Sequence, residues 1–275
     1  MAKSNHLRLS DFRAIVQLVN DCRDLGDVAA SWRAHLLASL ARLTGAGLAL
    51  GGEIGGCVRA PRVDFGTTDW GWGNGFDRIG LIRSLAEFRQ NPFYSPLMNA
   101  YISRLQTANG ECLSRAEMIP DREWYQSVYF QSMHGFAGAD ASLLCFRLVP
   151  GTTDEFSEIF FFRATGERDF SARDKSIVRE AHALLIPLIG GPLARYTDPS
   201  PADLPPRARA VLRCLLDGDA DKQIAARLDI GSHTVNQHIK RIFQYFGVTS
   251  RTELLARWIR GGWANGFSWA ESDTD

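Results

Sequence analysis

The residues with the clearest chemistry lie in the stretch SHTVNQHIKRIFQYF, residues 232–246. Val235, Ile239, Ile242 and Phe246 recur at the 4, 3, 4 spacing that makes one apolar stripe on a helix. At about 100° per residue, His233, Gln237, Lys240 and Gln244 project from the opposite side, flanked by Asn236 and Arg241. That face contains no Asp or Glu. Side-chain amides match the edge of adenine, and lysine matches guanine or a phosphate. A merely solvated helix of this length would mix in acidic residues, so the pattern predicts a groove-reading helix from Ser232 to about Phe246.

The flanking residues supply elements to hold such a helix. Pro206 to Asp217 carries Val211, Leu212, Leu215 and Leu216 at helical spacing and stops at Gly218. Asp221 to Leu228 is predicted as a second helix around Ile224, Ala225 and Leu228, and Gly231 opens the third. A fourth begins at Ser250, which stands three residues before Glu253 as in a capping box. Two short helices, a tight turn and a polar third helix form a helix-turn-helix. Charge supports this. Residues 204–260 hold 10 Lys and Arg against 5 Asp and Glu, although the whole chain balances 31 against 31. The basic excess sits where a phosphate backbone would lie.

Residues 204–258 resemble the LuxR/FixJ-type helix-turn-helix output domain of bacterial transcription regulators. The resemblance rests on Leu204, Arg207, Val211, Leu212, Gly218, Lys222, Ile224, Ala225, Leu228, Ile230, Thr234, Val235, His238, Arg241, Ile242, Gly247, Val248, Ser250, Arg251 and Leu254, in order and without gaps. It implies that Asn236, Gln237 and Lys240 face bases while Lys222, Thr234 and Arg251 lie near phosphates. With His233 and Arg241 from the polar face, these are the expected DNA-binding residues. The resemblance also implies double-stranded DNA as partner, a homodimer on paired half-sites and contact with RNA polymerase. Three departures concern helix caps. Pro205, Ala220 and Gly231 stand where the family has Thr, a Ser-like residue and Ser or Thr. Losing a side-chain cap costs about 1 kcal/mol, and Gly costs only a few tenths. Asp203, Asp219 or Asp221 are the candidates to replace them.

Upstream, residues 1–193 read as an α+β sensory domain with an antiparallel sheet and helices. Ser10 is expected to cap a first helix with Phe12, Ile15, Val16, Val19 and Cys22 on one face. Asp27 is expected to cap a second with the stripe Val28, Trp32, Leu36, Leu40 and Leu43. Leu48–Leu50 and Cys57–Phe65 are predicted strands around a GGEIGG hairpin turn. Helices follow at Phe76–Phe88, Pro96–Leu105 and DREWYQSVYF (121–130), then strands at Ala141–Leu148 and Glu158–Ala164. Ser171 and Asp174 cap a helix to about Ile189. This ending resembles the last strand and helix of GAF-like (GAF/PAS) sensor domains. Trp70, Trp72, Trp124, Tyr125 and Tyr129 are candidates to line an apolar ligand pocket, and alternatively fill the core. An acyl-homoserine-lactone receptor is the alternative. Its Trp, Tyr, Asp and Trp arrangement finds no counterpart here beyond Asn91-Pro92.

ARYTDPSPAD (194–203) reads as a semi-rigid linker, followed by the DNA-binding domain over 204–260 and an aromatic, acidic tail over 261–275. Enzyme chemistry has little to build on. His35, His134 and His182 stand isolated in sequence, and Asp121 and Glu123 would diverge on a helix. Cys22, Cys57, Cys112, Cys145 and Cys214 show no metal-ligand spacing, so neither metal nor cofactor is expected. The longest apolar run, Ala183 to Ile189, is too short to span a bilayer. A cytoplasmic regulator with no membrane partner is the expectation, its N-terminal domain sensing a small-molecule or protein signal.

Overall fold

The structure, a computed structural model, describes residues 6–56, 63–72, 76–78, 95–105, 110–131, 137–199 and 201–260. The chain divides into two compact units, residues 1–23 with 30–189 and residues 24–29 with 190–275. The first opens with helices α1 (Leu9–Asp24) and α2 (Ala29–Thr44) and strands β1 (Leu48–Gly55) and β2 (Val63–Trp70). It continues through α3 (Pro96–Leu105), β3 (Cys112–Ser114), α4 (Arg115–Met118) and α5 (Asp121–Gln126). Strands β4 (Ala139–Leu148) and β5 (Glu155–Ala164) and helix α6 (Ala172–Leu185) complete it. Among the described residues the strands form one antiparallel sheet in the order β2-β1-β5-β4-β3. This is the expected α+β fold.

Strand periodicity gives the sheet two unlike faces. On one, Ile54, Leu144, Phe146 and Phe156 pack with Leu97, Met98 and Tyr101 of α3 and the fully buried Trp124 of α5. The Tyr101 hydroxyl accepts from the Phe146 N–H (2.7 Å) and donates to the Glu111 carbonyl (2.6 Å), completing the β3–β4 edge with a side chain. The other face meets α2 and α6 and carries polar groups. Arg33 of α2 pairs with Glu53 of β1, both buried. His182 of α6 lies between Cys145 of β4 and Ser157 of β5.

Arg163, near the end of β5, ties this layer together. Its Nε donates to the Gly45 carbonyl (3.3 Å), and Nη1 donates to the carbonyls of Arg168 and Asp169 (3.0 and 2.9 Å). Nη2 donates to the Thr44 carbonyl and to Asp174 Oδ2, 3.2 Å away. The five N–H bonds of a guanidinium thus meet five acceptors. Phe170 stacks 4.3 Å from its carbon. Asp174 also closes the capping box of α6 with Ser171.

Several expectations need correction. The GGEIGG segment is not a hairpin turn, because β1 runs through it to Gly55. Glycine is required there for close approach: a Cβ on Gly52 would lie 2.4 Å from the Gly66 carbonyl oxygen of β2. The predicted strand Cys57–Phe65 overlaps β2 only from Val63, and residues 57–62 lie outside the described ones. The same holds for most of Phe76–Phe88. In α1 the buried side is Asp11, Ile15, Leu18 and Cys22, leaving Phe12 and Val16 exposed. Asp11 turns this helix, because Arg173 of α6 binds its carboxylate and holds it charged and below its ordinary range. Helix α6 ends at Leu185 and passes into a 3-10 turn where Pro187 withholds an N–H.

Asp27 stands two residues ahead of α2, one position outside the cap. Burial pushes its carboxyl up to about 6. The folded chain therefore holds this proton more tightly than the unfolded chain, and stability falls as pH rises from about 4 to about 6. Asp27→Asn should raise stability near neutral pH by about 1–2 kcal/mol, with the gain vanishing below about pH 4. Chemical denaturation of the full chain at both pH values measures this. Arg163→Lys keeps the charge but not the fork, and three ammonium donors cannot serve the five acceptors, the buried Thr44 carbonyl among them. A loss of about 1–3 kcal/mol is expected in the same measurement.

Candidate nucleic-acid interface

The second unit contains helices α7 (Pro206–Leu216), α8 (Asp221–Leu228), α9 (Ser232–Phe246) and α10 (Arg251–Arg260). Its core is the set the periodicity marked. Val211, Leu212, Ile224, Val235, Ile239, Ile242 and Phe246 are buried, joined by Leu204, Leu254 and Trp258. Helix α8 is followed by Asp229 as its C-cap, in the left-handed conformation (φ +51°) that Asp tolerates better than most residues, and Gly231 is the N-cap of α9. The turn is tight enough that α9 begins four residues after α8 stops. Burial of its apolar stripe fixes how α9 is rotated, and that rotation leaves His233, Asn236, Gln237, Lys240 and Arg241 exposed on the outside.

The local bonding of these side chains differs. Asn236 donates from Nδ2 to the Ser232 carbonyl (3.1 Å), and Gln237 Nε2 lies 3.0 Å from His233 Nε2. Lys222 and Lys240 are exposed. Thr234 is half-buried at the start of α9. Arg251 is not free: it donates to the Asp219 carbonyl (2.8 Å) and pairs with Asp221, so α10 is clamped to the start of α8. Arg227, which the sequence reading passed over, bridges Asp217 and Asp219 at 2.8 and 2.9 Å. Glu253 is turned onto the Thr249 N–H and hydroxyl, which hold it charged. Four of the five carboxylates in residues 204–260, those of Asp217, Asp219, Asp221 and Glu253, are thereby engaged by residues outside α9. Burial, together with Arg241 and Arg207, keeps His238 below its ordinary pKa and so neutral at physiological pH.

The missing caps are replaced in a way the sequence reading did not name. At α8, Gln223 reaches back and accepts the Ala220 N–H (2.7 Å), while α7 starts on Pro205 and α9 on Gly231 without a side-chain cap. Asp219 and Asp221 are occupied by arginines instead. The signal was present as Gln three residues after the cap position. At α10, Ser250 does accept the Glu253 N–H (3.1 Å), but Glu253 turns to Thr249, so only half of that capping box forms.

The aromatic ligand candidates do not all meet. Trp124 is buried with Tyr129 and Phe130 at ring distances of 6.0 and 5.5 Å. Tyr125 turns outward, 40% exposed, with its hydroxyl 3.0 Å from the Asp140 carboxylate. Trp72 belongs to a neighbouring cluster with Leu48, Leu50, Phe76 and Phe162, where its Nε1 is buried without a partner. Phe160 packs against both clusters. Trp70 closes β2 at half burial.

A four-helix unit whose third helix presents a polar face free of carboxylates is a helix-turn-helix DNA-binding domain. Residues 202–257 match the family of bacterial regulatory proteins, luxR family, and this segment is a LuxR-type domain. Response regulator Rre1 of Synechocystis sp. is 38% identical over 87 residues, which cover 31% of this chain and 37% of that protein. The monoamine regulon transcriptional regulator of Klebsiella aerogenes is 31% identical over 121 residues, covering 40% and 52%. The chain thus spans about half or less of the curated relatives it matches. A solved structure, SdiA in complex with octanoyl-rac-glycerol, aligns over 93% of this chain and 97% of its own at 13% identity and a TM-score of 0.47.

Removing the reach-back at α8 tests how this small unit is held. Gln223→Ala should cost roughly 0.5–1 kcal/mol. A lowered midpoint in thermal unfolding followed at 222 nm, with no change in the folded spectrum, is the expected result.

Proposed function

We infer that the chain is a DNA-binding transcription regulator in which residues 1–193 sense a signal and residues 204–260 read DNA, joined by 194–203, with 261–275 as a C-terminal tail. The observation that carries this reading is the exposed face of α9, basic and polar with no carboxylate, within a LuxR-type domain. Both curated relatives support it, one by its name as a transcriptional regulator and the other as a response regulator. Gln237, Asn236 and Lys240 read base edges. Lys222, Thr234, His233, Arg241 and Arg251 meet the backbone, Arg251 after exchanging Asp221 for a phosphate. One such helix touches few base pairs, so the active species is a homodimer on two half-sites, acting with RNA polymerase in the cytoplasm. The aromatic face of the sheet, around Trp72 and Trp124, is the place for a small-molecule signal. Among the described residues, no helix is long and apolar enough to cross a membrane.

Selection of bound duplexes from random DNA tests the whole reading. The full chain should enrich one motif, as paired half-sites about one helical turn apart. Gln237→Ala or Lys240→Ala should cost roughly 1–3 kcal/mol on that motif and relax its base preference. Lys222→Ala should instead weaken all sequences alike and lower the salt slope by about one. Failure to enrich any motif would overturn the proposal.

A further inference from the structure

The polar layer beneath α6 contains a group of atoms that DNA binding does not use. Cys112 of β3 and Cys145 of β4 are directly opposed in the antiparallel register, and both are reduced and buried. Their pairing type follows from Tyr101. The Phe146 N–H points across to the β3 side, where the Tyr101 hydroxyl takes it, so the neighbouring Cys145 turns its own backbone groups the other way, toward β5. Cys112 and Cys145 are therefore a non-hydrogen-bonded pair, the closer of the two antiparallel arrangements, with Cα atoms about 4.5 Å apart. A disulfide spans Cα separations of about 4.4–6.8 Å, so this pair can close without moving the backbone far.

The surroundings favour thiolate chemistry. His182 places Nδ1 3.3 Å from Cys145 Sγ, and Ser157 holds the other ring nitrogen at 3.0 Å. Lys175, Arg179 and His182 follow each other along one side of α6, which packs on β3 and β4, and Arg147 adds a further positive charge from β4. The hydrogen bond from Cys112, then the His182 imidazole and Arg147, hold the Cys145 thiol well below its ordinary range, whereas burial pushes Cys112 up. The other described cysteines lack this setting. Burial raises Cys214, and it pushes Cys22 up to about 12. A low-pKa thiol beside a second thiol is the arrangement of an oxidisable pair.

We propose that Cys112 and Cys145 form a reversible dithiol–disulfide pair oxidised by a hydroperoxide. The Cys145 thiolate, its proton on His182, attacks one peroxide oxygen. An S–O bond forms, the O–O bond breaks, and the leaving oxygen takes the proton from His182 and departs as water or an alcohol. Cys112 then attacks the sulfenic sulfur. The S–S bond forms as the S–O bond breaks, and the leaving hydroxide departs as water with the Cys112 proton. The two thiols lose two electrons and the peroxide gains them. Cys112 is the way in, since β3 is an edge strand of the sheet and this residue is 9% exposed. Hydrogen peroxide, little larger than water, is the hydroperoxide best suited to so small an exposed area.

The test uses the full, reduced chain. It is treated with hydrogen peroxide, then alkylated with N-ethylmaleimide under denaturing conditions, digested without reductant and analysed by mass spectrometry. The expected product is one peptide pair joined through Cys112 and Cys145, lighter by two hydrogens and reversed by dithiothreitol, with Cys22 and Cys214 still alkylated. In a Cys112→Ser chain, dimedone should trap a sulfenic acid at Cys145. Adding His182→Asn should slow that trapping roughly tenfold, because its partner no longer favours the thiolate. The proposal is overturned if both thiols of the intact chain remain alkylatable, if either goes to sulfinic acid without the linked peptide, or if the disulfide recovered involves another cysteine.

Discussion

A buried guanidinium is costly unless each of its N–H bonds finds an acceptor, and Arg163 satisfies all five. Four of the acceptors are backbone carbonyls at points where the chain changes direction: the end of α2, the turn into β1 and the loop between β5 and α6. The fifth is Asp174, whose other task is to cap α6. One side chain thus sets where α2 stops and where α6 begins, and with that the layer that both helices form over the sheet. The alignment of His182 over Cys145 and Ser157 is inherited from it, since α6 has no freedom to slide while Asp174 in its first turn is bound to Arg163.

The two faces of the sheet divide the labour. The face toward α3 and α5 is packed with rings, among them Tyr101 tilted against Phe146 at 4.7 Å and Phe160 edge-on to Phe146 at 5.3 Å. The face toward α2 and α6 instead carries Arg33 with Glu53 and the Cys145–His182–Ser157 chain, buried groups that persist only because each has a partner. Apolar packing tolerates rearrangement more readily than a polar layer does. A signal acting on the aromatic face would therefore meet the softer side of the unit, with the geometry of the helical layer held behind it.

How much of this was legible in the sequence depends on whether the relevant pattern was local. The four helices of the second unit follow from periodicity and short turns, and the buried stripe Val235, Ile239, Ile242 and Phe246 was read correctly. So were β4, β5 and α6 to within a few residues. Glycine misled the reading of β1, because Gly51 to Gly55 are strand residues chosen for close approach to their neighbours and not for turning. The face of α1 was misread because Asp11 is buried by an arginine 162 residues away, which outranks the apolar claim of Phe12. Arg33, Arg163 and the opposed cysteines were invisible for the same reason. Their partners are assembled by strand register, which no window of sequence contains. Among the candidate site residues, Arg251 was placed by resemblance alone, and only the structure reveals its attachment to α8.

The amides on α9 are parked. Asn236 rests on the carbonyl one turn back, and Gln237 rests on His233, so each already has a partner when the helix meets nothing. If these amides read bases as proposed, a base edge would have to replace an existing bond rather than satisfy an empty one. Against a wrong sequence both amides would stay where they are. Only an edge that offered a better pair would draw them out. Such a surface would move along a duplex with little friction and stop where the exchange is favourable, so that discrimination lies in the difference between two bonded states.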